Sequence, residues 1–207
     1  GNSPFGQGWD LSVPGIMRKT NKGIPQYDND KDVFILSGSE DLIPISEKKE
    51  VVDDITTVST QFRPRTEGLF ARITHFEIKD ESTSTKYHDY WEVRSKDGLI
   101  SYYGNPDLER NDLENTTIAD PSDQDRSKIF AWKLSKTVDP FGNTILYSYL
   151  RDFVEQDLAN SVEGYDQLYL DKIQYVDWDD SGTERFLISV NFLGGREMKK
   201  AFTLIEL

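Results

Sequence analysis

Apolar and polar residues alternate with a period of two along most of this chain, and no long stretch carries the i, i+3, i+4, i+7 stripe of an amphipathic helix. Phe186, Ile188, Val190 and Phe192 alternate with Leu187, Ser189 and Asn191, the pattern of a strand with one face in a core. Phe130, Trp132, Leu134 and Val138 make a comparable row, interrupted by Lys136. At the start, turn formers precede Trp9, Leu11 and Val13, which alternate with polar residues until Pro14 withholds a ladder donor. Three turn signals separate strand pairs: Ser95-Lys96-Asp97-Gly98, Asp139-Pro140-Phe141-Gly142-Asn143 and Asp179-Asp180-Ser181-Gly182. These elements predict an all-β fold, an antiparallel meander of long hairpins.

Where the alternation lapses, loops are expected. The run from Asn105 to Lys128 holds Asp107, Glu109, Asp112, Glu114, Asp120, Asp123 and Asp125 with little to bury, and reads as a long acidic surface loop over 105–128. Glu47 to Asp54 and Arg151 to Tyr165 read as smaller ones. No linker divides the chain, so residues 1–207 are expected to form a single all-β unit. The sequence lacks an initial Met and stops in the alternating stretch Ala201 to Leu207, as expected of a piece of a longer protein.

A formal net charge of -13 opposes a phosphate backbone and an anionic membrane surface, so neither nucleic acid nor membrane insertion is expected. No apolar run approaches the roughly 20 residues of a spanning helix. The absence of Cys excludes disulfides, a thiolate nucleophile and Cys-ligated zinc.

Reactive constellations are sparse. His75 shares a strand face with Leu69, Ala71 and Ile73 and is expected in the core, whereas His88, among Tyr90 and Glu92, is expected at the surface. Asp28, Asp30 and Asp32, and Asp177, Asp179 and Asp180, offer carboxylates at spacings that invite a calcium reading. Neither matches the EF-hand loop: the first has Val33 and Ser39 at its Gly and Glu positions, and the second has Gly182 but Ile188. Arg63, Arg65 and Glu67 on alternate strand positions are expected to pair across a sheet. No phosphate-binding loop, His-Glu-x-x-His or Gly-x-Ser-x-Gly occurs. The expectation is therefore no catalytic, cofactor-binding or metal site. The competing class is a carbohydrate- or protein-binding β-module with Trp91, Tyr102 and Tyr103 as its platform.

The opening Gly1-Asn2-Ser3-Pro4-Phe5-Gly6-Gln7-Gly8-Trp9-Asp10-Leu11-Ser12-Val13-Pro14, with Arg18 to Asp28, Asp32 to Pro44, Phe62 to Ile73 and Tyr90 to Gly98, resembles the N-terminal domain shared by the B components of Tc insecticidal toxin complexes and the Salmonella plasmid virulence B proteins. Trp132 to Tyr149 and Tyr169 to Tyr175 resemble RHS/YD repeats. The resemblance implies a wall segment of a β-shell that encloses a toxic polypeptide, with Trp9, Phe70, Trp91, Trp132, Tyr147, Tyr149 and Phe186 building walls. It further implies partnership with the rest of the parent chain and with A and C components, and a secreted or extracellular location. The Salmonella plasmid virulence B proteins that it resembles carry an ADP-ribosyltransferase in a separate C-terminal part. Arg72 and Ser82-Thr83-Ser84 imitate two of its motifs, but no Glu-x-Glu follows, and Glu155-Gln156-Asp157 is the nearest approach.

Overall fold

The computed structural model describes residues 2–3, 6–7, 13–21, 23–37, 40–65, 70–80, 87–107, 115–155, 163–177 and 186–192. Every element described is a strand: β1 (Asn2–Ser3), β2 (Gly6–Gln7), β3 (Gly15–Arg18), β4 (Phe34–Leu36), β5 (Glu40–Val52), β6 (Ile55–Pro64), β7 (Ala71–Asp80), β8 (Tyr87–Ser95), β9 (Ile100–Gly104), β10 (Thr117–Ala119), β11 (Ile129–Val138), β12 (Thr144–Val154), β13 (Tyr165–Asp177) and β14 (Phe186–Asn191). Strands β3 to β9 pair antiparallel in chain order, as a meander should. The meander then closes, because β11 pairs with both β3 and β9.

Closure makes β11 the branch point of the molecule. Its first half pairs with β3 at Ala131 to Lys133 and with β10 at Ile129 to Trp132; its second half pairs with β9 at Leu134 to Val138 and with β12 at Lys136 to Val138. β12 therefore leaves β11 where β3 takes over, and carries β13 and β14 outward as an open wing.

The interior is a register of large side chains. Trp132 stands opposite Ile16, which stands opposite Leu36, while Leu134, Tyr103, Trp91 and His75 form a second cross-strand row. Phe34 and Phe62 fill the space between them, edge-on to one another at 5.7 Å. The interrupted row around Lys136 has a local cause. Between Leu134 and Lys136 the pairing with β9 slips by one residue, so Leu134 and Ser135 are both buried and the inward row resumes at Thr137.

Several expected boundaries move. Glu47 to Val52 lies in β5, and the turn is confined to Asp53 and Asp54, both at positive φ (47° and 64°), the geometry of a tight hairpin. Arg151 to Val154 lies in β12. These arms are polar yet stay extended, because β6 and β13 supply their ladder partners, which periodicity cannot register. The expected loop over 105–128 contains β10, with Thr116 and Ala119 buried against β11. Residues 8–12 lie outside the described residues, as does the turn at Asp179 to Gly182. Among the described residues the first barrel strand is β3, just after Pro14.

The β11–β12 turn is built as its sequence suggests. Asp139 Oδ1 accepts from the N–H groups of Phe141 and Asn143, each at 2.8 Å, and Gly142 adopts φ 89°. A Cβ on Gly142 would meet open space, so Gly142→Ala isolates the backbone strain and is expected to cost about 1 kcal/mol in a denaturant melt.

Candidate functional site

Three polar clusters carry most of the buried ionisable groups. In the barrel core, Asp89 on β8 places Oδ1 2.6 Å from His75 Nε2 on β7 and accepts from Trp132 Nε1 on β11 at 2.8 Å. His75 also stacks on Trp91, with centroids 4.2 Å apart and planes 15° from parallel. One carboxylate thus ties a hairpin to the strand that closes the barrel. Gly104, at φ 84°, makes this approach possible: a Cβ there would sit 2.9 Å from Asp89 O and 3.0 Å from Trp132 Cδ1.

Arg18, 3% exposed on β3, plugs the barrel beside that cluster. Its Nε donates to Ile129 O at 2.7 Å, Nη1 to Asp32 Oδ2 at 2.9 Å and Nη2 to Asn29 Oδ1 at 2.7 Å. The guanidinium carbon lies 4.9 Å from the Phe34 centroid and 5.6 Å from that of Trp132. Asn29 in turn donates to Glu77 Oε1, so the segment before β4 is tied across the barrel end to β7.

The third cluster joins β10 to the wing. Asp166 accepts from Ala119 N, from Arg126 Nη2 and, through both oxygens, from Arg151 Nη1. Burial raises this carboxyl, but the amide and the two guanidiniums outweigh it, and it titrates below its ordinary value. Arg151 also donates to Thr117 O at 2.8 Å, so β10 is clamped to the β12–β13 hairpin.

The ionisable groups of each cluster are partnered and none faces a cleft, although Trp91 Nε1, beside His75, is buried without a hydrogen-bond partner. One surface feature among the described residues is a shallow depression of about 360 Å³ lined by Leu99, Thr137, Asp139, Asn143, Thr144, Ile145 and Tyr175. Its carboxylate, Asp139, is spent on its own turn.

The sequence candidates scatter over this frame. His75 is buried as expected. His88, expected at the surface, is 7% exposed, its Nε2 bonded to Asn105 O, because β8 is covered where the chain leaves β9. Burial pushes the His88 imidazole down, against the raising effect of Asp89 and Asp107. A His whose folded value lies below its unfolded value stabilises fully above the unfolded value and loses that contribution as pH falls. The His88→Gln variant is therefore expected to lose less melting temperature than wild type between about pH 7.5 and pH 5.

Asp28 is bridged to Lys31 at 2.5 Å and Asp32 to Arg18. Among the described residues no group of three or more His, Asp or Glu side chains is arranged to hold a metal. Asp179 and Asp180 lie outside the described residues. Arg63 is exposed and Arg65 pairs loosely with Asp41 at 3.6 Å, while Glu67 lies outside the described residues. Arg72 is exposed on β7 opposite Arg94; Ser82, Thr83, Ser84, Gln156 and Asp157 lie outside the described residues. Trp91 and Tyr103, proposed as a binding platform, are 0% and 5% exposed and belong to the core, which leaves only Tyr102 half-exposed. Among the wall residues, Trp132 is fully buried and Tyr149 nearly so, but Phe70 is exposed.

A closed antiparallel barrel with an open wing, its buried charges spent on tying strands together, defines a structural β-scaffold. The chain belongs to the family described as Salmonella virulence plasmid 65kDa B protein, whose model matches residues 1–203. It is 29% identical over 191 residues to the mono(ADP-ribosyl)transferase SpvB of Salmonella typhimurium (strain 14028s / SGSC 2262), covering 84% of this chain and 30% of that protein. The chain thus spans less than a third of the curated relatives it matches. Among solved structures, TcdB2-TccC3 superposes with TM-score 0.72 and 26% identity over 99% of this chain and 10% of that one. The N-terminal domain of the effector protein SpvB from Salmonella typhimurium strain LT2 superposes with TM-score 0.70 and 23% identity, over 100% of this chain and 70% of that one, a likeness of fold. The chain is a structural segment of a toxin-associated family.

Proposed function

We propose that this chain is a non-catalytic wall segment of a toxin-complex B-type shell that encloses a toxic polypeptide and helps deliver it. The observation that carries the reading is the continuity of the barrel's inner face with the wing. Val93, Ser101, Thr137 and Ile145 stand in one cross-strand row, and Ile145 shares its face with Tyr147, which packs against the barrel core. Tyr147 pairs with Ile173 and Ile173 with Val190; Tyr175 pairs with Ile188. All six are half-buried, forming an apolar sheet face that runs outward from the barrel core, against which Tyr147 packs. The opposite face carries exposed Asp152, Gln167 and Tyr169 over the far part of the wing, while beside β11 it carries buried Thr144 and Leu146. In this role the partners are the rest of the parent chain and the A and C components, and the location is secreted or extracellular.

Photo-crosslinking in the full-length parent tests this reading. A crosslinker at Ile188 or Tyr175 is expected to capture the enclosed polypeptide, and one at Tyr169 or Gln167 is expected to capture none. Equal capture from both faces would overturn the proposal. The non-catalytic part has its own test: the purified chain is expected to release no nicotinamide from NAD, and turnover abolished by Arg72→Ala would make it an enzyme.

A further inference from the structure

Arginines gather on one outer face of the barrel. Phe62 on β6 pairs with Ile73 on β7, and both side chains lie in the core; the adjoining residues of the two strands, Arg63 and Arg72, therefore turn to the opposite face side by side. Arg72 pairs in turn with Arg94 on β8, whose neighbour Val93 packs against the core. Three guanidiniums thus stand in one cross-strand row, on neighbouring strands about 4.8 Å apart. Like charges directly opposite one another destabilise a sheet. Arg94 is offset by Glu92, to which it donates from Nε at 2.6 Å and from Nη2 at 2.9 Å. Arg63 and Arg72 are exposed, and among the described residues neither has an ion-pair partner. Residues 62–73 hold three arginines against one carboxylate, Glu67, in a chain of net charge -13, so the strands and the connection between them do not neutralise the row themselves.

We infer that this row is a docking surface for an acidic polypeptide segment of the parent protein, outside these 207 residues. Charge complementarity sets the chemistry, because a guanidinium fork matches a carboxylate with two parallel hydrogen bonds. Phe70, 76% exposed and two residues before Arg72, adds an exposed aromatic, and arginine beside an aromatic is the composition of the energetic centre of a protein interface. A nucleic acid or an anionic membrane would meet the repulsion of the whole chain, whereas a short acidic segment meets only the row. The repulsion within the row is present whenever β6, β7 and β8 are paired, so its offset belongs to a permanent neighbour. Length supplies one, since the matching stretch makes up only 30% of the SpvB relative. The row lies on the other face of the sheet from Val93, Ser101 and Thr137, so the segment it holds is not the enclosed polypeptide, and the inference stands or falls apart from the shell reading.

Carbodiimide, which joins an amine to a carboxylate in direct contact, tests it in the full-length parent. Arg63→Lys and Arg72→Lys keep the charge while supplying the amine. Mass spectrometry is expected to find the new amine at position 63 or 72 joined to Asp or Glu of a segment beyond this chain. Wild type gives a second readout. Phenylglyoxal is expected to modify Arg63 and Arg72 roughly tenfold more slowly in the native parent than in the urea-unfolded one, because a guanidinium engaged by carboxylates is withdrawn from the reagent. Crosslinks that reach only carboxylates of this chain, Glu67 and Glu92 included, crosslinks to a separate subunit, or no crosslink at all would overturn the inference. So would phenylglyoxal protection that appears only with added inorganic phosphate, which would make the row a site for a small anion.

Discussion

Asp89→Ala is expected to destabilise the barrel by about 3–5 kcal/mol, because it strips a buried group from two partners at once. Trp132 Nε1 and His75 Nε2 both sit on Asp89 Oδ1, and both rings lie in the core, where no solvent can replace the carboxylate. The loss falls on closure in particular, since Asp89 belongs to the β7–β8 hairpin while Trp132 belongs to β11. Asp89→Asn keeps the volume and one acceptor oxygen, and should lose substantially less. Urea melts followed by tryptophan fluorescence distinguish the two; equal losses would mean that the charge of the carboxylate, and not its volume or one retained acceptor oxygen, holds this corner.

Asp166→Ala is expected to cost about as much, again roughly 3–5 kcal/mol, but in a different part of the molecule. The substitution leaves Arg126 and Arg151 facing each other without their shared anion and frees the Ala119 amide. Hydrogen exchange should therefore rise at β10 and the adjoining ends of β12 and β13, while the barrel strands β6 to β8 keep their protection. The same cluster has a pH signature. The folded carboxyl titrates below its ordinary 3.8, so its contribution is complete above that value and is lost as pH falls through the folded one. Acid should thus release β10 from the wing, and Asp166→Asn should abolish that step.

How much of this was readable in advance depends on the kind of contact. Hairpins with strong turn chemistry, such as Ser95 to Gly98 and Asp139 to Asn143, were legible because the turn residues set their own geometry. Closure was not: the pairing of Gly15, Ile16 and Met17 with Lys133, Trp132 and Ala131 joins residues more than a hundred apart, and nothing local in either strand announces it. The bulge at Ser135 was visible only as a broken row, for which Lys136 took the blame.

The buried charges were missed for a related reason. Asp89 alternates with His88 and Tyr90 on a strand whose inward positions include Trp91 and Val93, and a carboxylate at such a position signals a buried partner. That signal was present, whereas the partner Trp132, forty-three residues away, had none. Nothing local marked Arg18 for burial, because its acceptors, Ile129 O and Asn29 among them, come from irregular segments and a distant strand end. Trp91 and Tyr103 show the converse error. Large aromatics suggested a platform, but their strand neighbours turn them into the barrel.

The central claim is that this scaffold is part of a wall around a polypeptide. Limited proteolysis of the full-length parent, with mass spectrometry of what survives and stays associated, tests it most directly. The account predicts that a C-terminal polypeptide remains bound and protected until the shell is denatured. A C-terminal region digested freely while this segment survives alone would contradict it.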